Sequence, residues 1–95
     1  MGLQQIELVM NAEDEFDIAI GSVDDDGQAV RTVGAFHDLV LRLVRANPSS
    51  ELARRADLEQ YLWTRITALA AKNGKGLSRE QITRETRFIE DLGYG

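Results

Sequence analysis

Residues 58–74, LEQYLWTRITALAAKNG, decide how this chain folds. Large apolar side chains recur at three- and four-residue intervals along the stretch, at Leu58, Leu62, Ile66 and Leu69. This spacing puts them on one side of an α-helix, and Asn73-Gly74 supplies a glycine stop. The stretch therefore predicts a long amphipathic helix that buries one face.

A turn precedes this helix at residues 47–50, NPSS. Proline biases Asn47 away from the helical region, and either serine can cap the next helix, which we expect to begin directly after the turn. Another helix is predicted to run into the turn from Thr32, a plausible N-cap. Its apolar positions are Val33, Phe36, Val40, Leu43 and Val44.

The remaining elements are shorter or less regular. A helix is predicted over residues 3–16, with an expected buried face of Leu3, Ile6, Met10 and Phe16, widened by Leu8 and Val9. A short element lies between Asp24 and Val30, and Ser78 to Gln81 has the spacing of a capping box for one turn ending at Ile82. Without a hairpin signal, the chain reads as an all-α bundle.

Composition excludes several classes of protein. A length of 95 residues with 43% hydrophobic content indicates one folded domain. The absence of cysteine excludes disulfide frameworks, thiolate zinc sites and cysteine nucleophiles. Charges interrupt the apolar stretches, so we expect a protein that does not enter a membrane. The residues after Met1 do not have the pattern of a signal peptide, so we expect a cytoplasmic protein.

The charge is unevenly distributed along the chain. Residues 1–47 carry nine acids and three bases, whereas residues 48–95 carry seven acids and eight bases. Eight of the acids precede Arg31, the first basic residue. Such a surface repels nucleic acid and anionic lipid and attracts partners that display arginine and lysine.

A family resemblance is carried by residues 3–20, by Thr32-Val33-Gly34 and by residues 77–93, which end in FIEDLG. The first two are similar to the second helix with its exit, and to the start of the last helix, of the acyl carrier protein family. Residues 77–93 resemble the loop before that family's prosthetic-group site, so the two parts stand in swapped order. The resemblance implies a single domain over residues 1–95, a circularly permuted four-helix bundle rejoined through residues 47–50. Residues 1–47 would supply the carrier helices from the second through the last, and residues 51–95 would supply the first helix and the loop that follows it.

The resemblance also implies which site residues are kept and which are missing. Gly2 occupies the place of the serine that carries phosphopantetheine in the family, so no cofactor is expected and the chain is expected not to be an enzyme. The acids that match the family's docking face are Glu7, Glu13, Asp14 and Glu15. They are expected to bind a basic surface on a carrier-dependent enzyme, unless they form only a solvated helix face.

Two other functions stay open at this point. The chain could be a carrier that becomes active only by domain swapping or by assembly in trans with a serine-bearing segment, so both a monomer and a swapped dimer are allowed. It could also be a decayed, purely structural bundle.

Four further features have simple structural interpretations. The SVDDDG run at residues 22–27 imitates a calcium loop, but Val33 stands where the bidentate glutamate is required. His37 has no cysteine or second histidine to work with and is expected to be a surface helix residue. Arg54-Arg55 is expected to face Glu51, Asp57 or Glu59. Core packing, and not an acyl pocket, is expected for Phe36, Leu62, Trp63 and Phe88.

Overall fold

The computed structural model describes residues 3–20 and 31–94, except for the side chain of Leu3. Three α-helices make up most of this part of the chain: α1 (Leu3–Phe16), α2 (Val33–Arg45) and α3 (Leu58–Asn73). Two single 3₁₀ turns lie at Leu52–Arg54 and Arg79–Gln81. The described residues contain no β-strand, only one isolated antiparallel bridge between Thr32 and Arg87. The predicted all-α class is confirmed, while the element predicted at residues 24–30 lies outside the described ranges.

Helix α3 is the element around which the others pack, because it contacts both α1 and α2. The four side chains of its predicted stripe are all buried. The predicted start after residue 50 is wrong, since α3 begins only at Leu58. The Oγ of Ser50 accepts the Leu52 N–H at 3.2 Å, which starts a short 3₁₀ turn, and Arg55 then takes an extended conformation that ends it.

Helix α1 buries only part of the predicted face: Leu8, Val9 and Phe16 are buried as expected, whereas Ile6 and Met10 are not. Its side chains against the core are Gln5, Leu8, Val9, Ala12 and Phe16, a set spaced for one side of a helix. Ile6 and Met10 lie on the outer side, 43% and 61% exposed. The face that packs against the core therefore runs through Leu8, Ala12 and Phe16, and the expected burial of Ile6 and Met10 is wrong.

The first turn of α2 is capped by the C-terminal segment. The N–H groups of Val33 and Gly34 donate to the carbonyl oxygens of Thr86 and Arg84, at 2.9 and 3.0 Å. The Ala35 N–H donates to Oγ1 of Thr32 at 3.1 Å, which confirms the predicted N-cap. Three donors that a helix leaves unpaired at its start thus have partners, and two of these partners lie some fifty residues away in sequence.

The segment from residue 82 to residue 94 closes the core without forming a helix. It buries four apolar side chains, Ile82, Phe88, Leu92 and Tyr94. The ring of Phe88 meets Phe36 edge-on at 6.1 Å and Tyr94 at 5.1 Å. The helices that the described residues form are all too short or too polar to cross a membrane.

Removing the hydroxyl of Tyr94 tests how firmly this segment is attached. Its buried OH donates to the carbonyl oxygen of Ala70 at 2.9 Å. Tyr94→Phe is expected to lower the free energy of unfolding by about 1 kcal/mol at pH 7, the usual value of one such hydrogen bond. Urea unfolding of the two proteins measures this difference.

The pH dependence of the free energy of unfolding, compared between wild type and Tyr94→Phe, provides a second measurement. Burial, reinforced by the charge of Glu7, raises the pKa of Tyr94 far above 10. Above pH 10 the unfolded chain releases this proton and the folded chain keeps it, so the native state binds more protons and loses stability as the pH rises. The stability difference between wild type and Tyr94→Phe should therefore shrink above pH 10. A stability difference that stays constant up to pH 11 would contradict the raised pKa of Tyr94.

Candidate partner-binding surface on α1

Glu15 joins α1 to α3. Its carboxylate accepts two hydrogen bonds from the guanidinium of Arg65, at 2.7 and 2.9 Å. This paired geometry is the strongest form of an arginine–carboxylate contact, and it raises the pKa of Arg65 above its ordinary value. Glu15 was predicted only as a partner-binding residue, but it also forms this contact within the protein.

Glu13 organises the chain where α1 ends. Its backbone carbonyl accepts the Ile18 N–H at 3.2 Å, and its carboxylate accepts the Ile20 N–H at 2.7 Å. Between them Asp17 has a φ of +54°, the left-handed conformation that often terminates a helix. Glu13 therefore directs the exit of the chain from α1.

Glu7 and Asp14, the other two predicted acids, are exposed on α1. The exposed side chains of Ile6 and Met10 lie on the same helix, and a shallow cleft of about 480 Å³ is lined by Met10, Asn11, Glu13 and Asp14. We call the exposed set of Ile6, Glu7, Met10 and Asp14 the outer face of α1. Sequence reasoning missed its apolar members, although the regular spacing of Leu8, Ala12 and Phe16 could have assigned them to the surface.

His37 is buried, so the expectation of a surface residue is wrong. Its Nε2 lies 3.1 Å from the carbonyl oxygen of Glu59, and its Nδ1 lies 3.3 Å from a guanidinium nitrogen of Arg84. Because a carbonyl only accepts, Nε2 carries the hydrogen and Nδ1 accepts from Arg84. The ring also meets Trp63 edge-on at 5.4 Å, and Arg84 bonds Asp38 at 2.7 Å. His37 thus connects α2, α3 and the C-terminal segment.

The other singled-out residues have structural roles where the structure describes them. Arg55 forms a paired hydrogen bond with Asp57 at 2.9 and 3.1 Å, which lowers the pKa of that carboxyl, and it lies 4.0 Å from the ring of Tyr61. Arg54 donates to the carbonyl oxygen of Ser49 at 3.0 Å. The expected core residues Phe36, Leu62 and Phe88 are fully buried, and Trp63 packs against the core from its edge.

Gly2 and the calcium-like run at residues 22–27 lie outside the described ranges, so both predictions stay predictions. Val33, which takes the place of the calcium-binding glutamate, is a buried residue in the first turn of α2. Within residues 3–20 and 31–94, no group of three or more histidine or carboxylate side chains is placed to hold a metal ion.

Comparison of the chain with protein-family models, with curated proteins and with solved structures finds no match.

Proposed function

We propose that this chain is a non-enzymatic, carrier-protein-like domain of the cytoplasm that binds a basic surface on a carrier-dependent enzyme through the outer face of α1. The observation that carries the proposal is the pair of exposed apolar side chains on this face, Ile6 and Met10, on the same helix as the exposed acids Glu7 and Asp14. An apolar contact combined with charge complementarity is the usual composition of a specific protein interface.

The internal contacts of Glu13 and Glu15 support this function indirectly. Through the Arg65 pair and the turn after Phe16, they hold the C-terminal half of α1 in place. A binding face on a fixed helix loses less conformational entropy when a partner docks. We infer that Glu7 and Asp14 make the main charged contacts, while Glu13 and Glu15 keep the helix in position.

The proposed arrangement is that of a four-helix carrier bundle with a permuted chain. In support, α3 packs against both α1 and α2, and Glu7 of α1 is close enough to Tyr94 to raise its pKa. A permuted chain requires this proximity, because the segment ending in FIEDLG must lead to the helix that starts at Leu3. No phosphopantetheine is carried under this proposal, since glycine offers no oxygen for a phosphodiester.

A charge-reversal experiment tests the binding face. The Glu7→Lys/Asp14→Lys double variant is expected to slow association with a purified, carrier-dependent acyl-transfer enzyme by about tenfold at low salt, because such charges act mainly on the encounter rate. Glu51→Lys/Glu85→Lys makes the same change in net charge at exposed positions outside α1 and is the matched control. Surface plasmon resonance at two salt concentrations measures both variants.

Equal association rates for the two double variants would contradict docking through α1. The missing cofactor is tested separately, by incubating the chain with coenzyme A and a promiscuous phosphopantetheinyl transferase and measuring its intact mass. No increase in mass is expected. An increase would overturn the assignment of Gly2 and favour an active carrier.

A further inference from the structure

The end of α3 carries an asparagine that is followed by a glycine. Asn73 is the last residue of the helix, and Gly74 leaves it in an extended conformation, with φ −102° and ψ −173°. Asparagine is a chemically labile residue, and glycine has no Cβ to hinder its backbone nitrogen from reaching the asparagine side chain. We propose that Asn73 is a site of spontaneous deamidation, and that the C-terminal segment, residues 82–94, prevents the reaction while it is packed against the end of α3.

The reaction needs only the chain itself and water. The backbone nitrogen of Gly74 loses its proton to a base in the solvent and attacks Cγ of Asn73. The N–Cγ bond forms, the Cγ–Nδ2 bond breaks, and the amide nitrogen takes up a proton and leaves as ammonia, which gives a five-membered succinimide ring. Water then opens the ring at either of its two carbonyls. The product is aspartate, or isoaspartate with the main chain running through the former side chain, and nothing is oxidised or reduced.

In the packed structure, the side chain of Asn73 is held away from this reaction. Its Nδ2 donates to the carbonyl oxygen of Leu69 at 3.1 Å. Leu69 lies one helical turn earlier, so the amide is turned back along α3. The nitrogen of Gly74 reaches Cγ only if this hydrogen bond breaks and the main chain at the end of the helix rotates.

The C-terminal segment leaves little room for that rotation. Gly74 lies so close to it that an added Cβ would be 3.0 Å from the ring of Tyr94 and 3.1 Å from Leu92. The hydroxyl of Tyr94 donates to the carbonyl oxygen of Ala70 at 2.9 Å. The N–H of Lys75 donates to the carbonyl oxygen of Leu92 at 2.8 Å. The main chain is thus fixed on both sides of Gly74, and the reaction requires that the segment first detaches, a local opening without global unfolding.

Once formed, the product favours the detached state. The new carboxylate lies at the negative end of the α3 dipole, and it cannot donate a hydrogen bond to Leu69. Isoaspartate also lengthens the main chain ahead of Lys75, whose N–H bonds to Leu92. We therefore expect the modified chain to hold its C-terminal segment less firmly, and faster hydrogen exchange of the Lys75 amide in the purified product measures this.

Intact mass and peptide mapping of the full chain, incubated at mildly alkaline pH, test the site itself. Wild type is expected to gain one mass unit at Asn73, to release ammonia and to become a substrate for an isoaspartyl methyltransferase. The other two asparagines are internal controls, since Asn47 precedes Pro48, which has no N–H, and Asn11 lies within α1. Asn73→Gln should abolish the gain, because closure of the corresponding six-membered ring is far slower.

Two destabilised variants test the role of the C-terminal segment. Tyr94→Phe removes the bond to Ala70 and is expected to raise the deamidation rate about fivefold, the factor by which loss of one such bond favours opening. Val44→Ala creates a cavity near the end of α2, whereas the segment bonds to the start of that helix. This control should change the rate less than about twofold, because it does not loosen the segment.

The proposal is overturned if neither wild type nor Tyr94→Phe gains mass at Asn73. It is also overturned if Tyr94→Phe and Val44→Ala react at equal rates, because deamidation would then proceed through global unfolding and not through detachment of the segment. These outcomes are independent of the outer face of α1.

Discussion

Replacement of Gly34 by alanine is expected to lower the free energy of unfolding by about 2 kcal/mol, in the range found for overpacked sites. A Cβ at this position would lie 2.8 Å from both the Cβ and the backbone oxygen of Arg84. The same oxygen accepts the Gly34 N–H at 3.0 Å, so the C-terminal segment cannot move away without breaking that bond. The neighbouring bond from Val33 to Thr86 would be strained with it.

Helix propensity alone predicts the opposite sign for this variant. Alanine is favoured over glycine inside a helix by about 1 kcal/mol, so a stabilised Gly34→Ala protein would show that the close approach of Arg84 is not maintained. Thermal unfolding decides between the two, because 1 kcal/mol corresponds to about 4–8 °C in a domain of this size. Gly76→Ala is a useful comparison, since Gly76 has a positive φ of 88° but no atom within 4 Å of the added Cβ. Any loss of stability in that variant comes from backbone strain and not from overpacking.

The helices themselves could largely be predicted from local sequence. The spacing of Leu58, Leu62 and Ile66 and the Asn73-Gly74 stop indicated α3 and its end, and Thr32 indicated the start of α2. These signals are local, because capping and side-chain periodicity depend on residues within one or two turns. The start of α3 was missed because Ser50 accepts the N–H of Leu52, in the 3₁₀ turn at Leu52–Arg54, and not an N–H of α3.

What could not be predicted depends on contacts between distant residues. Helix α1 has more apolar residues than it buries, and only packing against α3 decides that Ile6 and Met10 are the ones left exposed. The partner of Glu15 is fifty residues away, at Arg65. His37 is buried because Trp63 and Arg84 enclose it, and both come from other elements.

The same distinction applies to the candidate site. The sequence indicated an acidic helix, and the structure divides its four predicted acids by their contacts. Glu13 and Glu15 bond to the protein itself, whereas Glu7 and Asp14 are exposed on the helix that also exposes Met10. A sequence pattern shows that charged residues share a helix, but it does not show which of them already bond to other residues of the protein.

Truncation of Phe88 to alanine is expected to have the largest effect of any single change considered, a loss of about 3–5 kcal/mol in the free energy of unfolding. Phe88 is fully buried and contacts Phe36 of α2 on one side and Tyr94 on the other. Since small domains are stable by about 5–15 kcal/mol, the variant would lose a large fraction of its stability. Urea unfolding measures the loss, and Ile89→Ala, at the exposed neighbouring position, should cost far less.

Hydrogen exchange then shows where the Phe88→Ala protein becomes unstable. The C-terminal segment is attached to α2 through Phe88 and the bonds from Val33 and Gly34, and to α3 through the Tyr94 hydroxyl. If Phe88 holds these contacts together, the amides of Val33 and Gly34 should lose protection more than those in the middle of α3, because local opening of the segment precedes global unfolding. Equal loss of protection at all of these amides would mean instead that the segment and the helices unfold as one cooperative unit. In that case the C-terminal segment would be as integral to the core as α3.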